Sequence, residues 1–280
     1  MKTKYYFLIP VIFVALLASS FMKSSAVEHT ILIQASDKNI SSVSLSQSAE
    51  IISNRLKDFS TGEFDISVID DKKQIKVILT DEWDLPVAED LIVHKGEISF
   101  YETYNHSSLV EMLNGDNHLF ELLTKGETDG PDEKIGCTSG SQAEKVNEFL
   151  KTLGLDQKCK FAWTQNFEKT KLCLFALKIN NGKSPVLTGN DIESATYDQD
   201  KIQIKIKDSA VELWSAATKR NLNNVIAILL DDYVISYPRV MSSIDSGEIE
   251  ITGKFTKTEA GYVASIISNG VLPVSFTVVK

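Results

Sequence analysis

TILIQASDKNISSVSLSQSAEIISNRLKDFSTGEFDISVIDDKKQIKVILTDEWDLPVAEDLIVHKGEISFYE, residues 30–102, switches repeatedly between two hydrophobic periods. Thr30–Ala35 is a short apolar run, as in a buried strand. Leu45, Ala49, Ile52 and Leu56 follow at steps of four, three and four, which places them on one face of a helix. Ser44 or Ser46 would cap it, because a serine hydroxyl accepts from the free N–H groups of a first turn. Phe64, Ile66 and Val68 alternate with polar neighbours, and so do Ile75, Val77 and Leu79. Asp70-Asp71-Lys72 between the two runs makes them a hairpin. Pro86 suits the first turn of a second helix that stops at Lys95-Gly96, and Glu97–Glu102 reads as a closing strand. Strand, helix, strand, strand, helix, strand is the pattern of a ferredoxin-like α+β sandwich.

Outward from this stretch the chain becomes polar and aperiodic over 105–157, with a turn-rich loop at Glu127–Lys134. Ser141-Gln142-Ala143-Glu144 has the spacing of a capping box, opening a helix that Gly154 stops. Lys158–Trp163 and Lys171–Lys178 read as a hairpin turning at 165–169. From 186 onward a second α+β unit follows. Its helix at Asp208–Asn221 gathers Val211, Trp214, Ala217 and Thr218 on one face. Asn224–Leu230 is apolar on both faces, as in a central strand, and Tyr233–Tyr237 follows the Asp231-Asp232 turn. Thr256-Lys257-Thr258-Glu259 is a further capping box, and Leu272–Val279 is the last strand.

The 280 residues carry 29 Lys+Arg against 38 Asp+Glu, a net charge of -9, and are 43% apolar. That apolar fraction excludes a disordered chain, and the charge argues against nucleic acid as a partner. At the N-terminus Lys2 and Lys4 precede the uncharged run Tyr5–Met22, and Ser24-Ser25-Ala26 offers small residues for cleavage. Two readings stand side by side: a signal peptide removed after Ala26, or one N-terminal apolar helix left as an inner-membrane anchor with its basic end cytoplasmic. Both place residues 27–280 in the cell envelope, on the periplasmic side.

The residues of known chemistries do not assemble into a motif. His29, His94, His106 and His118 lack ligand spacing, so neither a metal nor a cofactor is expected. Gly136-Cys137-Thr138-Ser139-Gly140 is a small-residue turn rather than a nucleophile elbow, and Gly182-Lys183-Ser184 lacks the glycine spacing of a phosphate loop. Asp231-Asp232 reads as a hairpin turn, so no enzyme activity is expected. Cys159 and Cys173 are symmetric about position 166, where a hairpin centred there would oppose them closely enough for a disulfide; two buried thiols are the alternative, and a Cys137–Cys159 bridge a further one. Trp214, Tyr233, Tyr237, Pro238 and Arg239 are the candidate polypeptide-binding residues, set against the reading that they fill the core.

LTGNDI at 187–192, WSAATKRN at 214–221, AILLDDYVISYPRV at 227–240, ITGKFTKTEA at 251–260 and NGVLPV at 269–274 resemble, in this order, the first large periplasmic domain of SecD or fused SecDF, accessory subunits of the bacterial Sec protein translocase. AEIISNRL at 49–56, EISFYETY at 97–104 and KFAW at 160–163 are similar too, so the resemblance runs over roughly 40–280. It implies a base near the membrane and a head that contacts emerging preprotein. Carried over, 1–26 is signal or anchor, 27–104 a ferredoxin-like base completed by 271–280, 105–185 an insertion with a helix and a hairpin, and 186–270 the head. Two departures bear on function. Ser209-Ala210-Val211 stands where the family has a glycine ahead of the Trp-bearing helix, and the sequence stops at Lys280, where a full SecD continues into further spans. The resemblance therefore implies a non-catalytic module that contacts exported unfolded polypeptides or the Sec translocase, without proton-driven transport of its own. The alternative is a structural envelope protein that keeps the fold and has no translocase role.

Overall fold

The computed structural model describes residues 27–80, 82–123, 132–164, 171–179, 185–252 and 255–279. The apolar segment before Val27, the turn at 165–169, Gly182-Lys183-Ser184 and most of the loop at 127–134 lie outside them. In chain order the elements are β1 (Glu28–Ala35), α1 (Ser42–Phe59), β2 (Phe64–Ile69), β3 (Gln74–Thr80), α2 (Leu85–Val93), β4 (Ile98–Tyr104), α3 (His106–Met112) and α4 (His118–Leu122). β5 (Lys134–Thr138), α5 (Gly140–Thr152), β6 (Cys159–Trp163), β7 (Leu172–Lys178), β8 (Leu187–Thr188), β9 (Ile192–Asp198) and β10 (Lys201–Ile206) follow. The chain closes with α6 (Asp208–Arg220), β11 (Ile226–Leu230), β12 (Tyr233–Ser236), β13 (Glu248–Thr252), α7 (Lys257–Asn269) and β14 (Phe276–Val278). The fold is α+β, and every paired strand in its sheets is antiparallel to its neighbour. No described helix is long and apolar enough to cross a membrane.

The first sheet has the order β14-β1-β3-β2. β3 buries Ile75, Val77 and Leu79 at alternate positions, because one face meets helices and the other meets water. Leu45, Ile52 and Leu56 of α1 and Leu91 and Ile92 of α2 fill that face with zero exposure. Leu45, Ile52 and Leu56 belong to the predicted stripe, and burying side chains of this size contributes roughly 1.5–3 kcal/mol each. Ser41, not Ser44 or Ser46, caps α1: its backbone is extended and its hydroxyl accepts from the N–H of Ser44 at 3.0 Å. Asp84 likewise caps α2, with Pro86 inside the first turn. At α5 the helix starts two residues earlier than the capping-box spacing implies, with Ser139 rather than Ser141 as the N-cap residue.

Glu97–Glu102, read above as the closing strand of this sheet, lies elsewhere. β4 pairs with β11, β7 and β8 in the largest sheet, and β14 holds the place beside β1. The reason is burial on both faces. Phe100 and Tyr101 point to opposite sides of β4 and are both buried, so the strand requires a core on each side. The first sheet has a core on one side only.

The largest sheet has the order β12-β11-β4-β7-β5, with β6 on the other side of β7. A single parallel bridge between Thr164 and Val234 joins the end of β6 to β12. The ring β12-β11-β4-β7-β6 is thereby closed into a small barrel. Its interior holds Tyr101, Ala162, Phe175, Leu177, Ala227, Leu229 and Val234, drawn from all of these strands. Outside the barrel α3, α4 and α5 lay Leu109, Leu113, Leu119 and Val146 over β5, β6 and β7. On the opposite face of β4 and β11, Trp214 of α6 packs edge-on against Phe100 with ring centroids 5.6 Å apart. A third sheet, β13-β10-β9, rests on α7.

Candidate functional site

Two places collect polar or exposed groups. The first is a buried clamp where α1, α2, α7 and the turn between β11 and β12 meet. Arg55 comes three residues after Ile52, so the α-helical period sends it into the core, and its side chain is fully buried. Its Nη1 donates to the carbonyls of Leu91 (3.3 Å) and His94 (2.5 Å), and its Nη2 to those of Lys95 (3.1 Å) and Gly270 (2.6 Å). These carbonyls lie at the C-terminal ends of α2 and α7, where the helix supplies them with no N–H donors of its own and the backbone carries partial negative charge. One guanidinium thus satisfies two helix ends at once. Burial lowers its pKa from 12.5 to about 10, against the raising influence of Asp231 and Tyr262, so it stays charged at neutral pH.

Asp231 completes the clamp. It and Asp232 form the two-residue turn after β11, both with positive φ (48° and 71°), a conformation aspartate tolerates. The Asp231 carboxylate accepts from Nδ1 of His94 (2.9 Å) and from the backbone N–H groups of Gly96 (2.8 Å) and Glu97 (2.7 Å). Burial alone would raise its pKa; the His94 and backbone donors outweigh that and hold it below the ordinary 3.8. Gly96 has φ +88°, and a Cβ there would lie 2.3 Å from Arg55 Nη2, so both conformation and space require glycine. Leu272 donates to the carbonyl of Lys95 at 2.8 Å. Segments 94–97 and 270–272, the two passages between the first sheet and the rest of the chain, are therefore tied to each other and to Arg55.

A titration follows from the sign of the Asp231 shift. A carboxyl whose folded pKa is depressed contributes stability above its unfolded value and loses it as pH falls through the folded one. Asp231→Asn is expected to flatten the acid limb: denaturation midpoints measured from pH 7 down through the ordinary 3.8 will fall less steeply than in the parent. Equal slopes would show that Asp231 binds the same number of protons in both states.

The second place is the rim of the barrel. Of the residues named from sequence, the structure brings Tyr233, Tyr237, Pro238 and Arg239 together on β12 and its exit, and sets Trp214 apart. Trp214 is 3% exposed in the core on the other face of β4 and β11, a correction to its place among binding residues. Its position four residues before Thr218 on the buried stripe of α6 is the reason. Tyr237 rests on Phe175 at the barrel interior, centroids 4.9 Å apart. Arg239 is engaged with the buried Glu133 (3.6 Å) and with the carbonyl of Asn223. The Pro238 carbonyl accepts from Ile226 at 3.2 Å, so the chain stays on the sheet where proline has no proton to give. Tyr233 is different: 47% exposed, it stands at the strand that closes the barrel through one bridge.

The predicted pairing of Cys159 with Cys173 is overturned. Cys173 is bonded to Cys137 across β5 and β7, and Cys159 is a buried thiol whose pKa burial pushes up to about 12. The β6–β7 hairpin exists, but its register places Cys159 opposite Lys178. The histidines stand apart: His94 in the clamp, His106 against Phe120, His118 against Phe149 and His29 on β1. No group of His, Cys, Asp or Glu among the described residues could hold a metal ion. Sequence reasoning passed over Arg55 and Gly96. The signal was a charged residue on the apolar stripe of α1 together with a lone glycine at the end of α2.

Comparison with known proteins shows what this chain is similar to. Residues 175–274 match the family model described as SecDF, P1 head subdomain. The SecDF protein translocase subunit of Brucella abortus biovar 1 (strain 9-941) is 23% identical over 249 residues, covering 87% of this chain and 27% of that protein. The SecD subunit of Calditerrivibrio nitroreducens is 26% identical over 243 residues, covering 84% and 40%. That of Aquifex aeolicus is 36% identical over 96 residues, covering 32% and 19%. The chain thus spans less than half the length of each. A solved structure described as a membrane component SecDF that enhances protein export shares the fold at a TM-score of 0.52 and 20% identity, covering 90% of this chain and 98% of that one. A crystal structure of SecDF in a super-membrane-facing form gives a TM-score of 0.54 over 90% of this chain and 29% of its own. Residues 175–274 are thus similar to the P1 head subdomain of SecDF, and most of the chain shares its fold with a solved SecDF structure.

Proposed function

We propose that this chain is a non-catalytic module of the cell envelope that contacts exported, unfolded polypeptides on the periplasmic side. The observation that carries the reading is the match of residues 175–274 to the SecDF P1 head subdomain. In this reading β1, α1, β2, β3, α2 and β14 are the ferredoxin-like base, completed by the tail strand, and the barrel with the β13-β10-β9 sheet is the head. The Arg55 clamp joins them. Tyr233 is the contact residue, because an amphipathic ring at the barrel seam offers apolar area and a hydroxyl without demanding a particular sequence. Tyr237, Pro238 and Arg239 shape the rim from beneath. No step of proton-driven transport is assigned to the chain, and the Sec translocase is its expected neighbour.

A photo-crosslinking amino acid at position 233 of the full chain tests this, with position 203 on the exposed face of β10 as the reference. Expressed in a Sec-competent bacterium, the Tyr233 variant is expected to yield adducts with secretory precursors or translocase subunits several-fold above the Gln203 variant. Equal yields at both positions, or adducts with neither class, would leave a structural envelope protein as the better account.

A further inference from the structure

The fold covers its strand edges unequally. On β9, Ser268 of α7 caps Ala195 twice: its hydroxyl accepts from the Ala195 N–H (3.1 Å) and donates to the Ala195 carbonyl (2.6 Å). β14 is three residues long, β13 carries Glu248 and Glu250 at alternate positions, and β6 and β12 close on each other. All of these are ways to keep an edge from pairing with another chain. β2 has only one such device, the exposed Asp65. It is six residues long, straight in register with β3, and contains no proline and no lysine.

The register shows which of its groups are open. The Thr80 N–H donates to the Glu63 carbonyl, which makes 63/80 a hydrogen-bonded pair, and with it 65/78 and 67/76. The N–H and C=O groups of Phe64, Ile66 and Val68 therefore point outward, where no described strand lies beside them. Phe64, Ile66 and Val68 also share the apolar face of the strand, and Val68 is one of the exposed large hydrophobic residues. Beside them an open groove of about 540 Å³ runs between β2 and the C-terminal half of α1, with Phe64 and Ile66 as its apolar lining and Ser53, Lys57, Thr61, Glu63 and Asp65 as its polar lining.

We infer that this edge pairs with its own copy, β2 to β2, joining two first sheets into one across a two-fold axis at Ile66. The strand is self-complementary in that register. Antiparallel pairing about Ile66 sets Phe64 opposite Val68 of the second copy and Ile66 opposite Ile66, all on the apolar face. It sets Asp65 opposite Ser67 on the polar face, a carboxylate facing a hydroxyl. No like charges stand directly opposite; the two Asp65 side chains meet only on the diagonal, roughly 7–8 Å apart. The outward groups of Phe64, Ile66 and Val68 supply the ladder hydrogen bonds. The groove along α1 is the space the second copy's apolar side chains enter. An isologous contact closes on itself, so the product is a dimer and not a fibre.

The polar pair gives the test, because each substitution at exposed Ser67 acts twice in a two-fold interface. Ser67→Lys places a lysine opposite Asp65 and is expected to tighten dimerisation roughly fivefold, and Ser67→Asp, which opposes two carboxylates, to weaken it roughly fivefold. Sedimentation velocity of the purified full chain in a mild non-ionic detergent, over a micromolar concentration series, reads both changes. Within one chain Ser67 stands opposite Lys76, so Ser67→Lys lowers and Ser67→Asp raises the monomer's thermal midpoint slightly, opposite in sign to their effects on dimerisation. A parent that stays monomeric throughout, or a dimer indifferent to the charge at 67, overturns the inference. So does a monomer that takes up an added extended peptide at this edge. The result is independent of the Tyr233 crosslinks, since the two sites lie on different sheets.

Discussion

Arg55→Met is expected to lower the unfolding free energy by about 3 kcal/mol. The substitution keeps most of the side-chain volume, so the loss is not that of a cavity. It removes the donors of four buried or half-buried carbonyls, those of Leu91, His94, Lys95 and Gly270. Hydrogen bonds from a charged group contribute roughly 1.5–3 kcal/mol each, and acceptors left unpaired in the interior add their desolvation. Against this stands the relief of a buried cation that burial already disfavours. The sum remains a net loss because, of the four carbonyls, that of Lys95 keeps a second donor in the Leu272 N–H, while those of Leu91, His94 and Gly270 lose the guanidinium. Arg55→Lys will recover only part, since one ammonium cannot match a planar fork aimed at two helices. Urea unfolding of the two variants measures the loss. Hydrogen exchange localises it: the Leu272 amide, bonded to Lys95, is expected to exchange faster in Arg55→Met than in the parent. A change below about 1 kcal/mol, the size of an ordinary surface substitution, would show that the guanidinium contributes nothing net and that packing alone joins the helices.

Opening the Cys137–Cys173 bridge comes second. The bond closes a separation of 36 residues, which includes α5 and β6. Cross-linking a loop of that length constrains the unfolded chain by about 2–4 kcal/mol. Cys137→Ser with Cys173→Ser is therefore expected to lower the denaturant midpoint of the oxidised protein, while leaving that of the reduced protein nearly unchanged. Thiol counting separates this bridge from the alternatives. Of three cysteines, unfolded and unreduced protein should expose one to alkylation, and peptide mapping should find it at Cys159. Label on Cys137 instead would restore the Cys159–Cys173 pairing and place the register of β6 and β7 in error. An oxidising envelope is where such a bond persists.

The two results bear on what could be read from the residues alone. The cysteine symmetry about position 166 assumed a hairpin centred there. The observed pairs, Cys159 with Lys178 and Trp163 with Leu174, place the centre later by an odd-numbered shift in partner, and an odd shift turns every side chain to the other face. Loop length sets that centre, and loop length carries no hydrophobic period. Arg55 failed differently. Its position on the buried face of α1 was visible in the three-residue step from Ile52. Its acceptors were not, because they lie 36 to 215 residues away in sequence. A buried cation is tolerable only where carbonyls converge, and convergence is a property of helix ends meeting in space.

Local periodicity by itself determined the elements of the opening stretch, the apolar stripe of α6, the Asp231-Asp232 turn and the Thr256–Glu259 capping box, because each depends on interactions within a few residues of the chain. Tertiary structure alone decided that β4 leaves the first sheet, that Trp214 is core while Tyr233 is surface, and that Cys137 rather than Cys159 meets Cys173. The physical reason is the same in each case. A pattern of apolar residues states that a face must be buried, and only the completed packing states against what.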